Sequence, residues 1–455
     1  MCRLHVWLAL ALCACAGPPA NREVRERPLL ETPQPLESTD PIPLPEYATG
    51  YVPGPRTLGL LEVLRIADDQ GLDIQIAREH VAAARAERAI ARAAWYPELA
   101  VGTSYFRNEG NVQATAGQFL DVDKQNTFLG AGLSLRLDLA AAALGEDAAR
   151  ERLTAAGHAL ESSAQDTQAL AAELYLDLME AGLQLSITEE AIAHGQSLVD
   201  LQEARSAGGS GLPADLSRSR AHLARAEGAR VEAVRRVEVA SAGLGELLQL
   251  PPTVQITPAG LAPLPDGESG TLEDLLFSAA QSRPELADAR ARSRAARFDA
   301  RAASKAWLYP TLELGAVAGG FGNNFGDLES SEVYVAGLTW HLGARLFGVA
   351  DRERAQYRAA QLTEVRLGRL VAAQVVAAEA SLRAAAARLI TVQDEITAAD
   401  QAWILARDRH EAGAGLFVEV LEAQVALLRA RISEAAADVD LHRSWYALQR
   451  AVGGL

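Results

Sequence analysis

Trp307-Leu308-Tyr309-Pro310-Thr311-Leu312 closes a helical stretch and opens an alternating one, and Trp95-Tyr96-Pro97-Glu98-Leu99 makes the same transition earlier in the chain. Two alternating segments follow each transition, then a very long Ala/Arg/Glu helix and a Gly-containing break with an acid beyond it. The breaks read Arg205-Ser206-Ala207-Gly208-Gly209-Ser210-Gly211-Leu212-Pro213-Ala214-Asp215 and Arg409-His410-Glu411-Ala412-Gly413-Ala414-Gly415-Leu416-Phe417-Val418-Glu419. In both, Arg stands four positions before a Gly and the acid six after it: Arg205, Gly209, Asp215 and Arg409, Gly413, Glu419. A shared order with shared spacing predicts two structural repeats, residues 57–250 and 271–455, joined by a linker over 251–270.

The alternating segments predict strands. Leu99, Val101 and Tyr105 oppose Ala100, Gly102 and Ser104, and Leu129, Ala131, Leu133, Leu135 and Leu137 oppose Gly130, Gly132, Ser134, Arg136 and Asp138. In the second half Leu312, Leu314, Ala316 and Ala318 alternate with Glu313 and Gly315, and Tyr334, Ala336, Leu338, Trp340 and Leu342 with Gly337, Thr339 and His341. Strands of about ten residues with one apolar face suit a tilted bilayer crossing or a small soluble β-domain with one wet face. Four strands cannot close a barrel, for which about eight is the minimum, so the membrane reading requires an oligomer.

The helices are predicted over 57–95, with Thr57 as N-cap and Glu62 in the early turns, then 141–205, 213–250, 271–309, 344–410 and 416–450. Each long one reaches ~100 Å at 1.5 Å per residue. Val375, Leu382, Leu389, Ile396 and Trp403 form a heptad. Val418, Leu421, Val425, Leu428, Ile432, Ala435 and Val439 continue as a seam with three- and four-residue steps, the pattern of a coiled coil.

The net charge of −16 disfavours nucleic acid as a partner, since a basic stripe would be expected. Cys2, Cys13 and Cys15 are the only cysteines, so neither a disulfide framework nor a Cys-based metal site can form in the body. Arg3 and the apolar residues 6–12 read as an export signal over 1–14. Leu12-Cys13-Ala14-Cys15 resembles a bacterial lipobox, with Cys15 as the lipid acceptor. Residues 15–56 are Pro-rich and predict a lipidated tether or strap. No later stretch reads as a spanning helix of about 20 apolar residues. A chain that crosses a membrane would then do so as a closed barrel.

No His-Glu-x-x-His, Gly-x-Ser-x-Gly or Gly-Lys-Ser/Thr motif is present, so the chain is not expected to be an enzyme or to hold a metal or cofactor beyond the lipid on Cys15. Gly319-Gly320-Phe321-Gly322-Asn323-Asn324-Phe325-Gly326 lies between two predicted strands and reads as a loop. Trp95, Tyr96, Trp307, Tyr309 and Trp340 stand at strand ends, where they form either an interfacial girdle or core packing.

These elements resemble the TolC family of outer-membrane efflux proteins (outer membrane factors), in its lipoprotein branch, over nearly all of 57–455. The resemblance rests on the Trp/Tyr-Pro transitions, the two Arg-Gly-acid turns and Val420-Leu421-Glu422-Ala423-Gln424. It implies a mainly α chain with transmembrane β, assembled as a homotrimer. Four strands per chain would make a 12-stranded β-barrel, continued by a trimeric α-helical barrel across the periplasm. It further implies an exit duct in the outer membrane, served by a periplasmic adaptor and an inner-membrane transporter. A type I secretion outlet or a pore-less coiled-coil scaffold lipoprotein are the alternatives. Arg205, Gly209, Arg409 and Gly413 would dock the adaptor. Asp215, Glu419 and Glu422 would line the periplasmic entrance; Glu419 and Glu422 share a helix face. The same acids also suit helix starts, where the helix dipole stabilises them. Two departures stand out: Gly415 occupies the place of a gating Arg, and Gly208-Gly209-Ser210 replaces an apolar-Gly-apolar triplet.

Overall fold

A computed structural model describes residues 54–454 apart from 210, 262 and 265–269. The signal, Cys15 and all but the end of the tether lie outside the described residues. The elements run β1 (Arg56–Leu58), α1 (Leu60–Gln70), α2 (Leu72–Ala93), β2 (Glu98–Gln113), β3 (Phe119–Asp138), α3 (Leu139–Ala207) and α4 (Pro213–Leu247). They continue as β4 (Ile256–Pro258), α5 (Leu272–Ser282), α6 (Pro284–Lys305), β5 (Thr311–Gly322), β6 (Glu329–Thr339), α7 (Ala344–Glu411) and α8 (Phe417–Val452).

The start of the first helix differs from expectation. Thr57 is not an N-cap: it lies in β1, which pairs parallel with β4 through Arg56↔Ile256, Thr57↔Thr257 and Leu58↔Pro258. The helix begins at Leu60, with Glu62 in its first turn, and breaks at Gly71. A Cβ on Gly71 would meet the Ala67 carbonyl oxygen at 2.6 Å, so the tight break requires glycine. The helix expected over 271–309 also breaks, because Pro284 pushes Arg283 into an extended conformation. Thr271 caps its start through a reciprocal capping box with Asp274. Buried Arg283 then donates to the carbonyls of Arg450 at 2.8 Å and Ala451 at 3.2 Å, closing the last turn of α8.

α3 and α7 run unbroken for 69 and 68 residues. The strand-to-helix transition at α3 needs no loop, because Asp138 ends β3 and caps the helix by accepting from the Ala140 and Ala141 amides at 3.1 and 3.0 Å. α7 carries an 18-residue window of mean hydropathy 1.3, which meets the length and composition of a spanning helix, contrary to the sequence expectation. Alanine and valine supply that hydropathy, and Val371 and Val375 pack with Ala279, Leu286 and Ala451. The main core joins Leu58, Val63 and Ile66 to Ala171, Tyr175, Leu178, Leu244, Leu248 and Ile256. Tyr175 reaches through it to donate to the Gly260 carbonyl at 2.8 Å.

The seam on α8 is rotated from the expected one. Its buried residues are Phe417, Val420, Gln424, Leu427, Ala430, Ala437, Val439, His442, Leu448 and Ala451; Leu421, Val425 and Leu428 are half-buried beside them. One helix packed against both α7 and α3 buries a wider stripe than a two-helix seam does.

The four longer strands form an antiparallel sheet in the order β2-β3-β5-β6. β2 and β3 have 16 and 20 residues, longer than expected, because a polar extension continues the hairpin. There Arg107 donates to both Asp123 oxygens at 3.1 Å. Register puts the apolar residues on one face: Leu99↔Leu133↔Ala316↔Tyr334 and Val101↔Ala131↔Ala318. That face is open, with Val101 76% exposed. The other face is glycine-rich. Gly130 pairs with Gly319, and a Cβ on Gly130 would lie 2.5 Å from the Ala318 carbonyl oxygen, so β3 and β5 meet at a contact only glycine allows. Arg136 and Glu313 pair on this face at 3.4 Å. Gly319–Gly322 of the Gly-rich segment belong to β5, and only the residues after them turn.

Candidate functional site

The two helix-to-helix turns carry the candidate residues, and capping geometry accounts for their repeated spacing. Gly209 and Gly413 adopt left-handed conformations, φ 77° and 73°, one residue past the C-caps Gly208 and Ala412. In the second turn the Gly413 amide donates to the His410 carbonyl at 3.0 Å and the Ala414 amide to the Arg409 carbonyl at 2.9 Å, which is a Schellman closure. In the first, the Gly209 amide donates to the Ser206 carbonyl at 3.2 Å and the Gly211 amide to the Arg205 carbonyl at 2.9 Å. Each Arg therefore stands at the third position from its helix end, where a cation complements the dipole. Asp215 and Glu419 stand at the third position of the next helix, where an anion does.

The side chains then diverge. Asp215 is largely shielded, with its side chain 13% exposed, and pairs with Arg218 at 2.9 Å. Glu419 faces Arg409 at 3.9 Å. Glu422 is exposed and lines a groove of about 560 Å³ between α4 and α8 with Arg218, His222, Arg225 and Arg429. Asp215 and Glu419 thus each face an arginine, and Glu422 shares its groove with three.

Arg205 turns toward the other hairpin. Its guanidinium donates to His410 Nε2 and, at 3.3 Å, to the His410 carbonyl, and Gln202 approaches the same Nε2 at 3.3 Å. His410 Nδ1 donates to the Gly415 carbonyl at 3.1 Å, and the ring packs against Phe417 with centroids 5.4 Å apart. The partners assign the proton to Nδ1, leaving Nε2 as the acceptor. His410 thus links the end of α3 to the end of α7. Gly415 has a role in this turn: its carbonyl receives the imidazole, and a Cβ there would lie 3.1 Å from Arg409 Cβ. Sequence reasoning passed over His410 although it sits inside the quoted turn. Only its adjacency to Arg409 marked it, and its partners Gln202 and Arg205 are some two hundred positions away.

The five aromatics lie at the junction of sheet and helices. Trp95, Tyr96, Trp307, Tyr309 and Trp340 are 44, 56, 54, 43 and 53% exposed, so none is a core residue of the single chain. Among the described residues no group of three or more His, Cys, Asp or Glu side chains has metal-holding geometry.

The sequence model of outer membrane efflux proteins matches residues 63–248 and 275–454, most of the chain. The chain belongs to the outer membrane efflux protein family. This efflux channel is 28% identical to the pyoverdine export outer membrane protein OpmQ of Pseudomonas putida over 417 residues, covering 86% of this chain and 85% of that one. Its fold matches the CmeC outer membrane channel of Campylobacter jejuni with a TM-score of 0.76 and 16% identity, over 87% of this chain and 85% of that one. It also matches the outer membrane protein VceC of Vibrio cholerae with a TM-score of 0.74 and 19% identity, over 87% and 96%. The efflux channel resides in the outer membrane and is mainly helical, with one four-stranded sheet.

Proposed function

We propose that three copies close their sheets into one 12-stranded β-barrel, continued by their helices as a tunnel, and that this is the passive exit duct of a tripartite efflux system. The two halves act as structural repeats in this assembly. The observation that carries the reading is the sheet: four strands with free edges at β2 and β6 and an open apolar face. Such a sheet is stable in lipid only when its edges are paired, and one chain has too few strands to pair its own. The exposed aromatics at the sheet-helix junction suit the water–lipid interface. The apolar face then meets lipid, and the glycine-rich face with the Arg136–Glu313 pair meets the lumen.

In this reading the turns at Gly209 and Gly413 face the periplasm and dock an adaptor, and the acids at Glu419 and Glu422 flank the entrance. Asp215, held by Arg218, contributes less charge there. Cys15 carries the lipid anchor. In this reading energy comes from an inner-membrane transporter, and the cargo is small molecules or ions. The test is mass and conductance on one sample. Purified protein should have the mass of three chains and form ion-conducting channels in a planar bilayer. A monomer or dimer, or a trimer without conductance, overturns the proposal.

A further inference from the structure

Near the turns, α3, α4, α7 and α8 line a partly open cavity of about 110 Å³ that the duct reading does not use. Its walls are mostly apolar, including Ile187, Leu427 and the edge of Trp403, against which His194 packs at 5.7 Å. Glu190 and Arg431, paired with each other and partly exposed, also line it, and two further polar side chains there have no hydrogen-bond partner. Gln424 is 6% exposed, and its Oε1 accepts no hydrogen bond. His222 is 8% exposed and makes no hydrogen bond among the described residues. Burial, and secondarily Arg225, lowers its pKa, which keeps the ring neutral with one donor and one acceptor. An unpaired buried acceptor is costly, and such groups are normally satisfied by a partner or a water.

Water alone fills this space poorly. The volume corresponds to three or four waters at ~30 Å³ each, and a buried water needs two to four polar partners. Gln424 and His222 can hold one, and the paired, partly exposed Glu190 and Arg431 can take another; the rest would face Ile187, Leu427 and Trp403. Apolar cavities of about 150 Å³ take up benzene-sized guests. The lining therefore asks for an apolar body of that size or less with one group that both donates and accepts. A hydroxyl does both: its proton satisfies Gln424 Oε1 and its oxygen accepts from the His222 ring. His222 also lines the open groove between α4 and α8, which supplies the route in.

We propose that this cavity is a binding site for a small aromatic or aliphatic alcohol of about the size of phenol. All four walls come from one chain, so binding does not depend on the trimer. An occupant touches α3 and α4 on one side and α7 and α8 on the other, and so holds the two hairpins together. That consequence for opening does rest on the channel reading.

The test uses phenol and benzene on the purified full chain, read by tryptophan fluorescence excited at 295 nm, where phenol does not absorb. Wild type should give a saturable change that Trp403→Phe removes, with phenol bound about tenfold more tightly than benzene, the worth of one hydrogen bond. Gln424→Leu should reverse that order. Ala191→Leu, which fills the cavity from α3, should abolish saturation with both probes. Reversal is diagnostic, because partition into detergent follows the probe and not residue 424. A signal that does not saturate, or survives Ala191→Leu, or a phenol preference unchanged by Gln424→Leu overturns the proposal. If Gln424→Leu misfolds by circular dichroism, Ala191→Leu and Trp403→Phe decide the matter. The mass and conductance of the ligand-free protein do not depend on these outcomes, so failure here is distinct from failure of the duct reading.

Discussion

Replacing His410 by Leu removes the imidazole's contribution to the link between the two hairpins while keeping an apolar side chain against Phe417. Two hydrogen bonds cross between hairpins through the ring, from Arg205 and Gln202 to Nε2. A third, from Nδ1 to the Gly415 carbonyl, stays within one turn and does not count toward the link. A hydrogen bond from a charged donor contributes about 1.5–3 kcal/mol when shielded. Arg205 is half-buried and keeps its bond to the His410 carbonyl, so a discounted value of about 1 kcal/mol per chain is appropriate. Three links in the proposed trimer sum to about 3 kcal/mol, on the order of a hundredfold in the closed-to-open ratio. Single-channel recording in a planar bilayer should therefore show His410→Leu with a much higher open probability or conductance than wild type. A double-mutant cycle with Arg205→Ala isolates the link from other effects of Arg205. If His410→Leu behaves as wild type, or the two substitutions are additive, the ring contact does not hold the entrance and the reasoning fails.

Gly413→Val and Gly209→Val each force a β-branched residue into the left-handed region at about 1–2 kcal/mol, and should abolish export while trimers still reach the membrane; crosslinking to the adaptor at both turns should fall. Glu419→Gln combined with Glu422→Gln should reduce cation selectivity, read as a shift of reversal potential toward zero under a salt gradient. The shift should be modest, since Arg409 already faces Glu419. Cys15→Ala should lose acyl labelling by mass spectrometry yet still insert, since the proposed barrel would be an anchor in itself. The lowered pKa of His222 means that the unfolded chain binds the proton more readily than the folded one. Its contribution is complete above the ordinary value of 6.5 and is lost as pH falls below it toward the folded pKa. Thermal melts should show that loss in wild type and a flatter profile in His222→Leu.

Periodicity made much of this fold readable. Leu129, Leu133 and Leu137 alternate, so the face they share was settled before any partner strand was known. A run such as 344–410, with no proline and only isolated glycines, had little option but a long helix. The spacing from Arg to Gly to acid was equally local, since it follows from cap positions along the chain. The breaks at Gly71 and Arg283 were less visible. A single Gly or an Arg-Pro step ends a helix only where a neighbour rewards it, as the α8 carbonyls do for Arg283. Thr57 looked like a cap because its strand partner lies near Ile256, two hundred positions on.

By itself, then, the sequence determined what each segment is: helix or strand, apolar face or polar, and where a left-handed glycine turns the chain. Those properties depend on residues within a turn or two of one another. Tertiary structure decided which groups meet. It rotated the buried stripe of α8 onto Val420, Gln424 and Leu427, because that helix answers to two neighbours at once. It joined Arg205 to His410 across two hairpins, and it left Gln424 Oε1 facing a cavity with nothing to accept from. Such pairings depend on the lateral packing of helices about 100 Å long, and a stretch of chain carries no information about the side chains that packing brings alongside it.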